Sequence, residues 1–243
     1  MRRSEMTGWR RATRKSSETG GQPKVPRRIH PTAIIEPGVE IGAGTAVWDG
    51  VHVRGPARIG AECIIGEKTY IAYGVSVGRR VKINAQVYVC TGVTIADHVM
   101  IAAGVLFTND RYPRAFAEGM DRLADSGPTD ETLSTTVHEG ATIGAGAIIG
   151  PGIEIGPFAM VGMGAVVVKD VPAHGLVHGN PGQLHGYVCV CGHPLHGLPE
   201  VAQNGRSGSC TRCRRLYSVI DHGAAAYPFF TGVRDVGRPQ RSR

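Results

Sequence analysis

Aromatic residues are scarce, only 6% of a 243-residue chain, and no stretch approaches the ~18 to 20 consecutive apolar residues that a membrane-spanning helix needs. The first absence argues against a sandwich or barrel closed around an aromatic core. The second gives no candidate for a helical membrane anchor, and no membrane partner is expected. The arginine-rich N-terminus has no apolar centre of the kind a secretory signal requires, so a cytoplasmic protein is expected. Charge imbalance is missing too, once its location is found. Residues 1–28 hold Arg2, Arg3, Arg10, Arg11, Arg14, Lys15, Lys24, Arg27 and Arg28 against Glu5 and Glu18, and so carry the whole formal charge of +7. The rest of the chain is neutral, which argues against a nucleic-acid-binding domain. It leaves 1–28 as a disordered basic tail, with a weak polyanion-binding arm as the alternative.

What the sequence does contain is glycine, 35 residues of it, and a strict period. From Ile29 the chain divides into sixes: IHPTAI, IEPGVE, IGAGTA, VWDGVH and onward to IAAGVL, which ends at Leu106. All thirteen units open with Ile or Val, and every fifth position is small or β-branched. Six more units run from Val137. A helix of 3.6 residues per turn smears a period of six around its axis, whereas short strands joined by bends keep it on one side. Three such faces close a triangular coil of eighteen residues, with first and fifth positions inward and parallel strands stacked ~4.8 Å apart. The expected fold is all-β: a parallel β-helix of about six coils over residues 29–187. Residues 107–136 interrupt the repeat as a loop.

That loop opens with "FTNDRYPRAF" and continues as an acidic, featureless run for which flexibility is expected. Continuing the register, Asn109 falls over Thr91 and Tyr73, at the lip of a face. Capping of the interrupted strand is one reading of its amide. Residues 107–136 contain no His. In the acyl transfer that the resemblance given below implies, a hydroxyl needs a general base before it attacks a thioester, whereas an amine with a pKa of ~7.7 to 8.0 is already substantially neutral. The absence favours an amine acceptor. Among the histidines of the coils, His98 stacks over Arg80 and Glu62 in a solvent-facing ladder and His52 shares a row with Tyr70 and Tyr88. His138, directly after the loop, is the histidine placed to serve as a base.

After the coils, "YVCVCGHPLHG" and "SCTRCRRLY" bring Cys189, Cys191, Cys210 and Cys213 in two close pairs. Four thiolates so spaced suit tetrahedral zinc. A structural zinc ribbon is expected over 188–221, possessing no catalytic group and covering the last coil, with 222–243 as a tail. A redox dithiol or an unmetallated turn is the alternative.

The repeat, the loop and the closing segment "GAVVVKDVPAHGLVHGNPGQ" resemble the left-handed β-helix acyltransferases. Within them, "VLFTND...PR" is similar to acetyltransferases acting on UDP-2-acetamido-3-amino-2,3-dideoxyglucuronate. The resemblance implies an acetyl-CoA-dependent N-acetyltransferase of a nucleotide-linked amino sugar, assembled as a homotrimer with acyl-CoA in a groove between subunits. It implies that Asn109 lies near the amine and thioester, and that Arg114 holds a carboxylate or diphosphate. Lys82, Asn84, Gln86 and His52 fall on the substrate side. Gly162, Gly164, Ala165 and Pro181 fall on the cofactor side, where small residues let pantetheine approach the backbone. The chain departs from the family at "KINAQVYV", where Tyr88 replaces a small residue, and at "NPGQ", where Gln183 cannot supply a cation. Two other functions fit the repeat: a non-catalytic scaffold or polyanion binder, and a γ-type carbonic anhydrase, which needs three convergent histidines.

Overall fold

A computed structural model describes residues 26–117, 119–125, 127–196, 198, 207–220 and 232–237. The basic tail, apart from its last three residues, therefore lies outside the described residues.

The period of six becomes three parallel sheets. Face A stacks eight strands in parallel, from Arg28–Ile29 through Ala46–Val47, Ile64–Ile65, Lys82–Ile83, Met100–Ile101, Thr142–Ile143 and Met160–Val161 to Gly175–His178. Face B runs from Ile34–Ile35 to Val166–Val167 in seven strands, and face C from Val39–Ile41 to Glu154–Ile155 in six, extended by a bridge from Ile155 to Val171. Partners lie eighteen positions apart, as in Lys82 with Met100 and Tyr70 with Tyr88. The described residues include no helix.

The prism is taller than the repeat count implies, with eight strands on face A, seven on face B and six plus a bridge on face C rather than about six coils. Two residues account for the difference. Phe107 takes the first position of a further unit and is 1% exposed, filling with a ring the space that Ile or Val fills elsewhere. Val177 does the same at the far end, after a coil shortened to pair Met160 with Leu176. The excursion therefore spans 108–134, bounded by the strands Leu106–Phe107 and Thr135–Val137. Across it the register jumps: Val93 pairs Thr135 and Leu106 pairs Ile148, 42 positions apart.

First positions such as Ile65, Ile83 and Ile101 and fifth positions such as Val51 and Val105 are fully buried and form one continuous core. Each fully buried Ile or Val contributes about 1.5–3 kcal/mol relative to exposure. Polar fifth positions follow a rule of their own. Thr45 donates to the Gly60 carbonyl at 2.8 Å and Thr69 to the Asn84 carbonyl at 2.9 Å. Cys63 points its thiol at the Gly78 carbonyl in the same way, at 3.2 Å. Each partner lies fifteen residues on, so a buried hydroxyl or thiol closes onto the bend of the next coil and leaves no unmet donor.

At the top, Gln183–Tyr187 turns back antiparallel to Gly175–His178. A small sheet of Ser207–Ser209, Leu216–Ile220 and Gly232–Gly237 follows. The last of these strands pairs antiparallel with Leu216–Ile220, so this unit continues beyond residue 221 into the segment expected as a tail. His174 joins the two parts: its ring stacks on Phe158 at 5.3 Å, meets Tyr217 edge-on at 5.2 Å and bonds the Val188 carbonyl through Nδ1.

Candidate functional site

The interruption starts where the coil's own geometry ends. Asn109 leaves face B directly above Thr91, and its Nδ2 donates to the Thr91 carbonyl at 3.1 Å. Thr91 in turn bonds the Tyr73 carbonyl, one coil lower, at 3.1 Å. The Asn109 carbonyl accepts from the Leu133 backbone at 3.0 Å, which ties the two ends of the loop together. Between them a small turn pairs Phe116 with Leu123, and the chain then returns across face B.

This return creates a cavity of about 330 Å³. Its floor is Tyr70, Tyr88, Ala72 and Cys90; Arg54 and Tyr73 close one side, and Asn109 and Asp110 the loop root. Its roof is Asp125, Gly127, Pro128, Thr129, Glu131 and Thr132. The acidic run expected to be flexible therefore supplies the roof of the enclosure. Composition concealed this, because the segment carries no recognisable motif.

Face B supplies an aromatic ladder. Tyr70 and Tyr88 lie parallel, 5.2 Å apart and 6° from coplanar, and His52 meets Tyr70 edge-on at 5.5 Å. Eighteen-residue register alone enforces this, since His52, Tyr70 and Tyr88 are Cα partners in turn. Glu36 anchors the lower end: it contacts His52 at 2.8 Å and Arg54 at 3.3 Å and accepts from the Gly55 backbone. These bonds, the His52 bond first, hold its carboxyl below the usual carboxylate range. Arg54 also lies 5.4 Å above the Tyr73 ring, and Tyr70 followed by Glu36 stabilises its charge. Burial pushes the Cys90 thiol up to about 11, so it remains a thiol at neutral pH and is no nucleophile.

The remaining expected site residues are distributed over other faces. His138 sits at the end of a face C strand with Nε2 2.6 Å from Glu154 and is not part of the cavity wall. Arg114 is exposed on the loop, donating to the Pro113 carbonyl. Lys82 is exposed on face A, Asn84 follows that strand, and Gln86 occupies the corner with φ 58°. Ala165 is buried, while Gly164 is a corner residue with open space beside it, and Pro181 lies in the turn between the last two strands of face A. Gly162 packs against His178. His98 completes the expected ladder, with Arg80 on Glu62 at 2.7 Å and His98 on Glu139 at 3.2 Å. His52, His98 and His138 each pair with a different glutamate. Among the described residues, only the four cysteines gather as a metal-ligating group.

Those four sulfurs, of Cys189, Cys191, Cys210 and Cys213, lie within 4.8 Å of one another. Cys189 and Cys213 are 3.2 Å apart, and Cys191 and Cys210 3.6 Å. Tetrahedral zinc with bonds of ~2.3 Å sets its sulfurs ~3.8 Å apart, so the arrangement fits the ion. Backbone N–H groups of Cys191 and Cys213 point at the Cys189 and Cys210 sulfurs, each at 3.5 Å.

Residues 38–73 and 74–109 match the family described as bacterial transferase hexapeptide (six repeats), and residues 56–91 and 135–169 match the hexapeptide repeat of succinyl-transferase. The chain is a hexapeptide-repeat β-helix. A segment of 87 residues, 36% of the chain, is 39% identical to the dTDP-3-amino-3,6-dideoxy-alpha-D-galactopyranose 3-N-acetyltransferase of Aneurinibacillus thermoaerophilus. A shorter one, 35 residues or 14% of the chain, is 54% identical to the acyl-carrier-protein-dependent UDP-N-acetylglucosamine O-acyltransferase of Brucella ovis. The hexapeptide-repeat protein covers only 42% and 13% of these two relatives. Among solved structures, PerB from Caulobacter crescentus, in complex with CoA and GDP-perosamine, is 26% identical with a TM-score of 0.40, over 67% of this chain and 58% of that one.

Proposed function

We propose that the protein is an acetyl-CoA-dependent N-acetyltransferase acting on the amine of a nucleotide-linked amino sugar. The Asn109 amide carries the reading. Its Nδ2 is committed to the Thr91 carbonyl, which leaves Oδ1 as an acceptor at the cavity, suited to an amine N–H. An amine held this way has its lone pair oriented for attack on a thioester, and orientation is the larger part of what such a reaction needs. Among the described residues, no imidazole lines the cavity to activate a hydroxyl. The named activity of the Aneurinibacillus relative supports the same chemistry.

The chemistry is compact. The amine nitrogen attacks the thioester carbonyl carbon, the C–S bond breaks, and the proton lost by nitrogen accounts for the thiol of released CoA. The small residues Gly162, Gly164 and Ala165 are the stretch assigned to pantetheine, and Pro181 belongs to the same donor side. A homotrimer is part of the proposal, supported by exposed apolar residues on and beside the upper part of face B, Leu106, Ile148 and Val168. So are structural zinc at the four cysteines and a cytoplasmic location, where thiols stay reduced.

The test is thiol release from acetyl-CoA with nucleotide-linked 3-amino sugars and their 3-hydroxy counterparts. Release that depends on the amine is expected. Release with the hydroxy sugars alone, or with neither, overturns the proposal.

A further inference from the structure

The row of residues along one corner of the prism changes character at its top. Glu62, Arg80, His98, Gly140, Phe158 and His174 follow one another there, each at positive φ and each donating its N–H to a carbonyl of the coil below. Glu62, Arg80 and His98 face solvent. His174 is 5% exposed. The repeat does not bury it. The cysteine unit does, by setting Tyr217 edge-on to its ring at 5.2 Å while Phe158 stacks on it at 5.3 Å. Gly140 makes room from below, since a Cβ there would strike the Phe158 ring. Burial lowers the pKa of the His174 imidazole, so the ring is neutral at pH 7 and donates through Nδ1.

Its acceptor is the Val188 carbonyl at 2.9 Å, and the Val188 N–H returns a bond to the His174 carbonyl at 2.7 Å. Between these two residues lies the whole hairpin of Gly175–His178 and Gln183–Tyr187, whose turn carries Pro181. The reciprocal bonds close that hairpin at its root. At its far end Gly182 donates to the Val166 carbonyl at 2.7 Å and Val166 to the Gly179 carbonyl at 3.0 Å, which seats the turn on the last strand of face B. Cys189 directly follows Val188, and its sulfur accepts from the Tyr217 hydroxyl. The Cys189 N–H is bonded to the His193 carbonyl and the Leu195 N–H to that of Tyr187, so the metal-binding turn is built on the outgoing strand. An unbroken path of contacts runs from the four sulfurs to the turn at Pro181.

We propose that His174 is a positioning residue: with zinc held at the quartet, it clamps the root of this hairpin and so fixes the turn around Pro181 against Val166. Without metal the four thiols lose their common centre, Tyr217 is no longer held against the His174 ring, and the clamp opens. Metal binding at the quartet and ligand binding along the turn are then coupled, each strengthening the other by the same factor. The ligand is the acyl donor, CoA, an assignment that rests on the N-acetyltransferase reading and its donor side.

Hydrogen exchange at the Gly182 and Val166 amides, read by NMR in the zinc-loaded protein and after chelation, tests the clamp without any ligand. Exchange at least tenfold faster is expected in the stripped wild type, with the Lys82 amide, deep in the coils, unchanged. His174→Phe keeps a ring between Phe158 and Tyr217, and the same corner holds Phe158 one coil lower, but it has no donor for Val188. Its loaded form is expected to exchange like the stripped wild type. His174→Asn restores an amide donor near the place of Nδ1 and is expected to restore protection. Exchange indifferent to chelation, a His174→Phe variant as protected as wild type, or equal acceleration at Lys82 overturns the inference. Calorimetry with CoA reads the coupling: binding at least fivefold weaker is expected in stripped wild type and in loaded His174→Phe, whose kcat at saturating acetyl-CoA stays within about twofold of wild type. Equal affinity in loaded and stripped protein overturns the coupling. A chain that shows the exchange difference yet binds no CoA contradicts the transferase reading and upholds the clamp.

Discussion

The Tyr217 hydroxyl donates to the Cys189 sulfur at 3.0 Å, across 28 residues of chain. With the His174 ring packed against Tyr217 on one side and Phe158 on the other, it links the cysteine quartet to the last coil. The consequence is measurable. The purified protein is expected to hold one zinc per chain by elemental analysis, and the Cys210→Ser/Cys213→Ser variant to hold none. Tyr217→Phe keeps the ligands and loses the bond to one of them, so its zinc affinity in chelator competition is expected to fall about tenfold. Zinc retained by the double serine variant contradicts the assignment.

Asn109→Ala removes the acceptor oxygen and the bond to Thr91 together. A fall in kcat of about 10²-fold is expected, with the KM for acetyl-CoA changed little. Steady-state kinetics at saturating acceptor decide the point: a wild-type kcat would leave Asn109 with only the loop-closing role.

Thr69 and Cys63 answer a different question, about the coil. Thr69→Val leaves the Asn84 carbonyl without its side-chain donor and exchanges a hydroxyl for a methyl of similar size, so a loss of about 1–2 kcal/mol is expected in urea unfolding. Cys63→Thr preserves a donor towards the Gly78 carbonyl and is expected to cost less than about 1 kcal/mol.

Two glycines are expected to respond differently to alanine. A Cβ at Gly60 would run into the Gly78 carbonyl of the next coil, backbone that cannot yield without parting the stack. Gly60→Ala is expected to destabilise by about 3 kcal/mol. Gly146 has nothing within 4 Å of the added carbon and pays only for its φ of +67°, about 1 kcal/mol. Comparable unfolding midpoints for the two variants would show that coil spacing is not the constraint.

Cys90 lines the cavity yet titrates at about 11. Its folded pKa is raised, so thiolate forms only as pH climbs towards that value. Iodoacetamide at pH 8 is expected to label Cys90 at least tenfold more slowly than it does in urea, with the rate in the folded protein still rising above pH 10. Mass spectrometry of the Cys90 peptide reads both conditions, and equal labelling would place the thiol in solvent.

Periodicity made the prism legible. Ile or Val every sixth residue demands one inward side, and pairings such as His52 with Tyr70 and Tyr88 follow from the eighteen-residue register without further information. The count fell short because Phe107 is not β-branched, yet it occupies the same inward position. Asn109 was legible for a related reason: register placed it over Thr91, and the bond to that carbonyl is there. The roof was not. Asp125 and Glu131 reach face B only because the loop doubles back, and no local pattern in "DRLADSGPTDETLSTT" encodes a contact with tyrosines dozens of residues earlier. The strand Gly232–Gly237 escaped for the same cause, since its partner Leu216–Ile220 is fixed by tertiary pairing rather than by repeat.

Leu106 pairs with Ile148 as closely in register as Tyr88 does with Leu106, although one step crosses 42 residues and the other eighteen. The stack keeps account of coils and is indifferent to chain length between them. A lineage can therefore lengthen, shorten or replace the segment between Phe107 and Thr135 without disturbing a strand above or below it. Acceptor preference can then drift while the scaffold that presents it stays the same.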